Sequence, residues 1–257
     1  MDKLTIIKVG GKIVEEPESL DQLLNGFAVI AGSKMLVHGG GRSATKLAER
    51  LGIESKLVNG RRITDEETLK IVTMVYGGLV NKNIVAKLQM RGIDALGLTG
   101  ADMNTIRSVK RPVDDIDYGF VGDVKEVDSR LLSDLIIQQC VVPVMAPLTH
   151  DGNGNILNTN ADTIAGEVAK AMALHFDVRL IFCFEKKGVL MDENENDSVI
   201  PLITPALFEE YREQGIIQGG MIPKIENALE AVRAGVKEVI ITRASDIHLG
   251  KGTIIRI

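Results

Sequence analysis

The sequence predicts an α/β fold, an αβα sandwich in which helices cover both faces of a central, mainly parallel sheet. Short apolar runs of strand length alternate along the chain with longer segments whose apolar residues recur at helical spacing. The apolar runs are nearly continuous, which is typical of strands buried on both faces. Strands are predicted over residues 4–9, 35–38, 95–98, 141–146, 178–183 and 238–242, with an extended antiparallel arm over 105–126 and a final edge strand over 252–257. Helices are predicted over residues 17–30, 44–51, 64–90, 128–139 and 163–175, after residue 205, and up to residue 234.

Composition restricts the classes of partner. The chain has 257 residues, of which 45% are hydrophobic, so it can form one large domain or two lobes. Lys and Arg number 30 against 35 Asp and Glu, a formal net charge of −5 with no basic tail. Aromatic residues make up 4% and tryptophan is absent, which disfavours base-stacking surfaces. No apolar segment is long enough to cross a bilayer, so we expect no membrane partner. Together with the charge and the aromatic content, which disfavour nucleic acid, this leaves small molecules as the expected partners.

The cysteines and histidines indicate no metal centre. Cys140 and Cys183 lie in apolar, strand-like runs and are predicted to be buried, inert thiols. The four histidines show no metal-ligand spacing and are predicted to be structural or surface residues. With a first strand that starts close to Met1 and no signal-peptide pattern, we expect a reducing, cytoplasmic compartment.

The first predicted strand carries the first chemical signal. Lys8 lies inside its apolar run, where an ammonium group is costly to desolvate unless an anion meets it. Gly10 and Gly11 follow, and glycines let backbone amides approach a ligand closely. Lysine followed by paired glycines is consistent with half of a phosphate site. An ordinary strand-to-loop turn with a solvent-reaching lysine is an equally good interpretation of this stretch alone.

A second glycine cluster, Gly39-Gly40-Gly41, follows the second strand and precedes a helix. This layout offers free helix amides to an anion. The glycines with Ala44 also match a dinucleotide fingerprint, but the next extended stretch is basic and contains the hairpin signal Asn59-Gly60 instead of the required acid. A nicotinamide site is therefore disfavoured, and no Walker loop is present.

Two further segments contribute polar groups. Arg62 follows the predicted hairpin and can pair with a carboxylate, although a solvated arginine is an equal alternative. Thr64 with Glu67 predicts a capping box for the helical region that reaches about residue 90. In the segment 158–162, Asn158, Asn160 and Asp162 occupy alternate positions just before a helix. One such residue suffices for an N-cap, so three indicate a substrate site.

Lys224 stands in the first turn of a helix after Gly219-Gly220, where a cation is normally unfavourable. A phosphate that bridges the lysine and the helix end would make the position favourable. Lys8, Lys224, Asp162 and the two glycine clusters therefore form a set suited to phosphoryl transfer, which needs positive charge and amide donors more than covalent help.

On these motifs the chain resembles the acetylglutamate-kinase branch of the amino-acid kinase family, from residue 4 to residue 257. The motifs that carry the resemblance are Ile7-Lys8-Val9-Gly10-Gly11, Val37-His38-Gly39-Gly40-Gly41, Asn59-Gly60-Arg61-Arg62-Ile63-Thr64, Asn158-Thr159-Asn160-Ala161-Asp162 and Gly220-Met221-Ile222-Pro223-Lys224. The resemblance implies a carbamate kinase-like fold with an acylglutamate-binding and dimerisation lobe (1–176) and an ATP-binding lobe (177–257). It also implies a homodimer joined through the lobe that holds residues 65–90. The activity it implies is that of an arginine-biosynthetic kinase that phosphorylates the γ-carboxylate of an acylglutamate with ATP.

The resemblance also implies roles for individual residues. Lys8 and Lys224 would neutralise the transferring phosphoryl group and Asp162 would hold both lysines. Gly10, Gly11 and Gly39 would bind phosphate. The acylglutamate would be bound by five further residues, Gly40, Gly41, Arg62, Asn158 and Asn160. Mg²⁺ would be carried mainly by the ATP phosphates, with no protein metal ligand.

One segment departs from the family pattern. Residues 184–187 read Phe-Glu-Lys-Lys where a hydroxyl residue followed by Asp is usual, so the two lysines here could bind phosphate instead. Two alternatives follow. N-succinylglutamate would suit the same mechanism with a larger acyl pocket, and a non-catalytic sensor of an amino-acid derivative would explain an altered nucleotide loop. Retention of Lys8, Asp162 and Lys224 disfavours the sensor.

Overall fold

The computed structural model describes residues 1–58 and 61–257, so the predicted turn residues Asn59 and Gly60 lie outside the described residues. In the described chain, an eight-stranded sheet forms the centre of the molecule, in the order β12-β14-β13-β11-β1-β2-β8-β5. Its strands are β1 (Lys3–Val9), β2 (Ser33–His38), β5 (Ala95–Leu98), β8 (Val142–Met145), β11 (Asp177–Phe184), β12 (Leu202–Ile203), β13 (Glu238–Arg243) and β14 (Thr253–Ile255). Every pairing is parallel except β13 with β14.

Helices cover both faces of this sheet. They are α1 (Gly11–Glu15), α2 (Pro17–Val29), α3 (Gly41–Arg50), α4 (Glu66–Val72), α5 (Asn81–Gln89), α6 (Ser129–Ile137), α7 (Ala161–Met172), α8 (Pro205–Glu213) and α9 (Met221–Arg233). Alternate residues of β1 point to opposite faces and join two separate apolar cores. Leu4 and Ile6 pack with the helices α6 to α9, whereas Ile7 and Val9 pack with α1 to α5. The αβα sandwich is therefore confirmed.

The described residues also form a smaller, four-stranded sheet and a short hairpin. The small sheet has the order β10-β9-β6-β7, and the hairpin pairs β3 with β4. These strands are β3 (Leu57–Val58), β4 (Arg61–Arg62), β6 (Ile106–Lys110), β7 (Gly122–Val127), β9 (Leu148–His150) and β10 (Ile156–Asn158). The antiparallel pairing of β6 with β7 confirms the predicted arm.

The long helical region between the hairpin and β5 differs from the capping-box prediction. Asp65, not Thr64, is the N-cap of α4, because its side chain accepts a hydrogen bond from the Thr68 amide. Thr64 is fully buried and pairs as an extended residue with Gly119. Between α4 and α5 the helix widens into a π-helix over Thr73–Val80, a feature that often marks functional sites.

Four other sequence predictions are corrected by the structure. Helix α3 begins at Gly41 and α7 at Ala161, both earlier than predicted, because glycine and Asn160 serve as their N-caps. The final strand, β14, is internal and β12 forms the edge. Cys183 is buried, and burial raises the pKa of its thiol to about 12, but Cys140 is exposed just after α6, with a positive φ of 53°. The apolar neighbours of Cys140 belong to the end of a helix and the start of β8.

The division predicted between residues 176 and 177 falls between α7 and β11, and the central sheet continues across it. None of the helices in the described ranges is long and apolar enough to span a membrane.

Candidate active site

The site lies where the carboxyl ends of β1, β2 and β11 meet. In the parallel register, Val9 is opposite both His38 and Cys183, so the segments that follow all three strands emerge together. A Cβ atom on Gly39 would lie 3.3 Å from the Gly11 amide nitrogen. The two glycine clusters that are far apart in sequence therefore pack backbone against backbone, as the prediction of one phosphate site requires.

Lys8 and Asp162 form an ion pair beside these glycines. Lys8 shares a face of β1 with Leu4 and Ile6 and is almost fully buried, and its Nζ lies 2.7 Å from Asp162 Oδ1. No other partner of that buried oxygen is found in the described part of the chain. The carboxylate therefore compensates the charge of the buried ammonium.

Lys224 completes a cluster of positive charge. It is exposed in the first turn of α9, and its Nζ lies 4.4 Å from the centroid of the Phe184 ring. Lys8 Nζ lies 5.9 Å from the same centroid. The structure thus brings together both predicted lysines from β1 and α9 and the predicted carboxylate from α7.

A cavity of about 200 Å³, here the first cavity, opens next to the glycines. It is lined by all five predicted acylglutamate ligands and by one predicted phosphate ligand, Gly39. The five are Gly40, Gly41, Arg62, Asn158 and Asn160. A second cavity, of about 420 Å³, lies between α7 and α9 and is lined by Asp162, Phe184 and Lys224 among others. Because Asn160 and Thr163 line both, the two cavities adjoin at the start of α7.

The three polar residues of segment 158–162 do different things. Asn158 is buried and donates a hydrogen bond from Nδ2 to the Thr64 hydroxyl, 2.9 Å away. Asn160 accepts from the amides of Asp162 and Thr163 and caps α7. Asp162 pairs with Lys8. The capping interpretation thus holds for one of the three, and the other two are available to the site.

Arg62 is buried and already makes three hydrogen bonds. Its guanidinium donates to Ser55, to the Gly41 carbonyl and to the Thr45 hydroxyl, each at 2.8 Å. Since a guanidinium has five N–H donors, about two remain for a carboxylate. Arg62 is therefore a buried residue that lines the first cavity, and the alternative of a solvated hairpin arginine does not hold.

Several residues in the first cavity were not identified from the sequence. Tyr76 from the π-helix lies against Gly40, and the pKa of its hydroxyl is raised by burial, an effect that nearby Arg62 partly offsets. Arg61 adds a second cation, and Arg111 pairs with Asp123. Their signals were ambiguous, because Tyr76 lies in a mainly apolar helical run and Arg111 in a charged segment.

Beneath the second glycine cluster, His38 is fully buried. Its Nδ1 lies 2.8 Å from the Gly39 carbonyl, which can only accept, so Nδ1 carries the proton. Its Nε2 accepts from the Asn81 amide at 3.1 Å. The pKa of this histidine is lowered to about 4, mainly by burial; the Gly39 hydrogen bond opposes the shift and nearby Lys82 contributes to it. The prediction of a structural histidine is confirmed.

The unusual segment 184–187 does not present free lysines. Lys187 pairs with Asp197, and Lys186 donates to Asn196 at 3.2 Å, so both hold the loop that follows. Glu185 pairs instead with Lys12 of α1 at 2.6 Å. The suggested phosphate-binding role of these two lysines is therefore not supported by the geometry.

Metal ligands are not clustered in this site. In residues 1–58 and 61–257, no group of three or more His, Cys, Asp or Glu side chains could hold a metal ion. A divalent cation would fit here only with most of its ligands supplied by a bound phosphate or water.

A buried lysine–aspartate pair, a second lysine and two apposed glycine clusters at the carboxyl edge of a parallel sheet define an anion-binding, phosphoryl-transfer type of site. The chain belongs to the amino acid kinase family, whose pattern it matches over residues 3–243.

Similar proteins agree with this assignment. The acetylglutamate kinase of Parabacteroides distasonis is 73% identical over 253 residues, covering 98% of this chain and 99% of that protein. The acetylglutamate kinase of Bacteroides thetaiotaomicron is 72% identical and covers 99% of both chains.

Solved structures match as well. The crystal structure of smu.665 from Streptococcus mutans UA159 has 31% identity and a TM-score of 0.79 over 98% of both chains. Carbamate kinase from Giardia lamblia bound to AMP-PNP has a TM-score of 0.69 over 99% of this chain and 98% of that one, at 14% identity, and so shares the fold.

Proposed function

We propose that this chain is an N-acetyl-L-glutamate kinase, which transfers the γ-phosphoryl group of ATP to the γ-carboxylate of N-acetyl-L-glutamate in arginine biosynthesis. The observation that carries the proposal is the Lys8–Asp162 pair with Lys224 nearby, because Asp162 and Lys224 line the second cavity, which adjoins the first. Full-length relatives at 73% and 72% identity that are acetylglutamate kinases support the acyl group. A non-catalytic sensor would have little need for this charge cluster.

The chemistry follows from charge and position. A carboxylate oxygen attacks the γ-phosphorus, its bond to phosphorus forms as the bond to the bridging oxygen of ATP breaks, and ADP leaves with that electron pair. The nucleophile is already an anion, so no general base is needed. Lys8 and Lys224 offset negative charge on the transferring oxygens, and Asp162 orients Lys8 through their ion pair. The amides of Gly11 and of the second glycine cluster donate to phosphate and substrate oxygens.

The two cavities suit the two substrates. The first cavity would hold the acylglutamate, with Arg62 on the α-carboxylate, Gly40 and Gly41 on the γ-carboxylate, and Asn158 on the acylamino group. The second would hold the phosphates of ATP, next to Lys224. Mg²⁺ would arrive on those phosphates. In these terms residues 1–176 form the acylglutamate lobe and residues 177–257 the ATP lobe.

We also propose a homodimer and a cytoplasmic location. The helical region 65–90 exposes Met74, Leu79 and Met90, each more than half accessible, which supports contact with a second copy. The free cysteines Cys140 and Cys183 are compatible with a reducing compartment. Sedimentation of the purified protein tests the first of these proposals.

Parallel assays of ADP release with N-acetyl-L-glutamate and N-succinyl-L-glutamate test the function, with hydroxylamine added to trap the acyl phosphate. We expect turnover on the acetyl compound with ATP and Mg²⁺. Preference for the succinyl compound would keep the mechanism but overturn the acyl assignment. Binding of either compound without turnover would favour the sensor.

A further inference from the structure

Phe184 occupies an unusual place in the charge cluster. It ends β11, is half-buried, and stacks on Phe182 with ring centroids 6.3 Å apart and an interplanar angle of 25°. Phe182 is almost fully buried in the core and lies opposite Lys8 in the parallel register. The stacked neighbour therefore anchors the Phe184 ring at the rim of the second cavity.

Both lysine ammonium groups lie over this one ring, Lys224 at 4.4 Å from the centroid and Lys8 at 5.9 Å. Lys8 has Asp162 as a partner. For Lys224, the described residues supply no hydrogen bond and no ion pair, and the helix end on which it stands disfavours a cation. The ring face is electron-rich and attracts cations within about 6 Å.

We propose that Phe184 is a positioning residue for phosphoryl transfer: its ring holds the Lys224 ammonium beside Lys8 before the nucleotide binds. This inference rests on the proposed kinase function of the same site. Two neighbouring ammonium groups repel each other, and a ring that attracts both offsets this repulsion. The lysine side chains then need to move less when a phosphate group enters. The alternative is that Phe184 serves only as apolar packing against the core, which it also contacts.

Fluorination separates the two roles, because it weakens the electron-rich face of the ring while changing its shape little. The experiment incorporates mono-, di- and trifluorophenylalanine at position 184 and measures kcat and KM. We expect kcat to fall with each added fluorine, by about tenfold in the trifluoro protein, which corresponds to about 1.4 kcal/mol. The KM for N-acetyl-L-glutamate should stay constant, because Phe184 does not line the first cavity.

The matched control is Phe208 in α8, which carries the Arg212 guanidinium 5.8 Å from its ring centroid and lies outside both cavities. The same fluorinated series there should leave kcat unchanged. Phe184→Leu should reproduce the trifluoro defect, and Phe184→Tyr should retain most of the activity because it keeps the ring. Equal rates across the fluorinated proteins at position 184, or an equal loss at both positions, would overturn the proposal.

A second readout does not depend on turnover. In protein labelled with ¹³C-lysine, the ε-CH₂ protons of Lys224 should resonate upfield because they lie over the ring, with the signal assigned by its absence in Lys224→Arg. The upfield position should be lost in Phe184→Leu and kept in Phe184→Tyr. An ordinary lysine shift in the unmodified protein would refute the positioning role. Failure of the unmodified protein to turn over, with this shift present, would instead count against the kinase function.

Discussion

The neutral, buried His38 beneath the glycine loop should make the free energy of unfolding fall as the pH is lowered. The pKa of His38 is about 4 in the folded protein, against an ordinary value of 6.5. Below pH 6.5 the unfolded chain binds this proton and the folded chain does not, so the stabilising contribution is complete above pH 6.5 and lost as the pH falls towards 4. The difference between 6.5 and about 4 corresponds to about 3 kcal/mol in the free energy of unfolding.

The perturbation is His38→Asn, whose amide can still donate to the Gly39 carbonyl but does not titrate. At pH 7 the variant should be less stable by about 1–3 kcal/mol, because the Asn81 amide loses its acceptor. Urea unfolding of both proteins at pH 7, 6, 5 and 4.5 gives the free energy of unfolding at each pH. Between pH 6.5 and 4.5 the unmodified protein should lose about 2–3 kcal/mol more than the variant.

His248→Asn is the matched control, since His248 is exposed. Its stability should follow that of the unmodified protein at every pH. If the curves of His38→Asn and the unmodified protein fell in parallel with pH, His38 would not be the neutral, buried group described here, and its hydrogen bonds to the glycine loop would need another explanation.

Three further substitutions test the site. Lys8→Ala should lower kcat by a factor on the order of 10²–10³ through lost charge stabilisation, and ADP release near the normal rate would exclude its assigned role. Arg62→Lys should raise the KM for N-acetyl-L-glutamate about tenfold or more, with a smaller effect on kcat. The reason is that an ammonium group cannot keep the three existing hydrogen bonds and also bind a carboxylate. An unchanged KM would mean that the substrate binds elsewhere. Gly40→Ala should lower the free energy of unfolding by about 1–3 kcal/mol, because the new Cβ atom would lie 2.8 Å from the Tyr76 ring. Gly78→Ala is the control and should leave stability unchanged, since a Cβ atom there would meet nothing within 4 Å. Equal thermal stability of the two variants would contradict the packing described.

Much of the fold could be predicted because periodicity and burial agree along the sheet. The apolar run around Lys8 predicted β1, and the glycines at 39–41 predicted the strand-to-helix turn after β2. Boundaries were less predictable, since helix starts depend on which polar residue accepts the first amide. Asp65 and Thr64 are both good caps in sequence, and only the bridge from Thr64 to Gly119 decides between them.

The site was partly predictable for a similar reason. Lys8 and Lys224 stood out because a lysine in an apolar strand or at a helix start requires an anionic partner, and Asp162 stood out as one of three alternating polar residues before a helix. Tyr76 did not, because its contact with Gly40 depends on its position in a π-helix. Phe184 departed from the usual family pattern in sequence. Its contact with two lysines depends on how β1, β11 and α9 are placed in the fold, which the local sequence does not encode.

The most direct test of the central claim follows the oxygen atom that joins carboxylate and phosphorus. N-acetyl-L-glutamate labelled with ¹⁸O in the γ-carboxylate is incubated with ATP, Mg²⁺ and hydroxylamine, and the released phosphate is analysed by mass spectrometry. Hydroxylamine attacks the acyl carbon, so the phosphate leaves with the former carboxylate oxygen. Our account predicts one ¹⁸O atom in each released phosphate. Unlabelled phosphate would mean that water, not the carboxylate, receives the phosphoryl group, and would contradict the account.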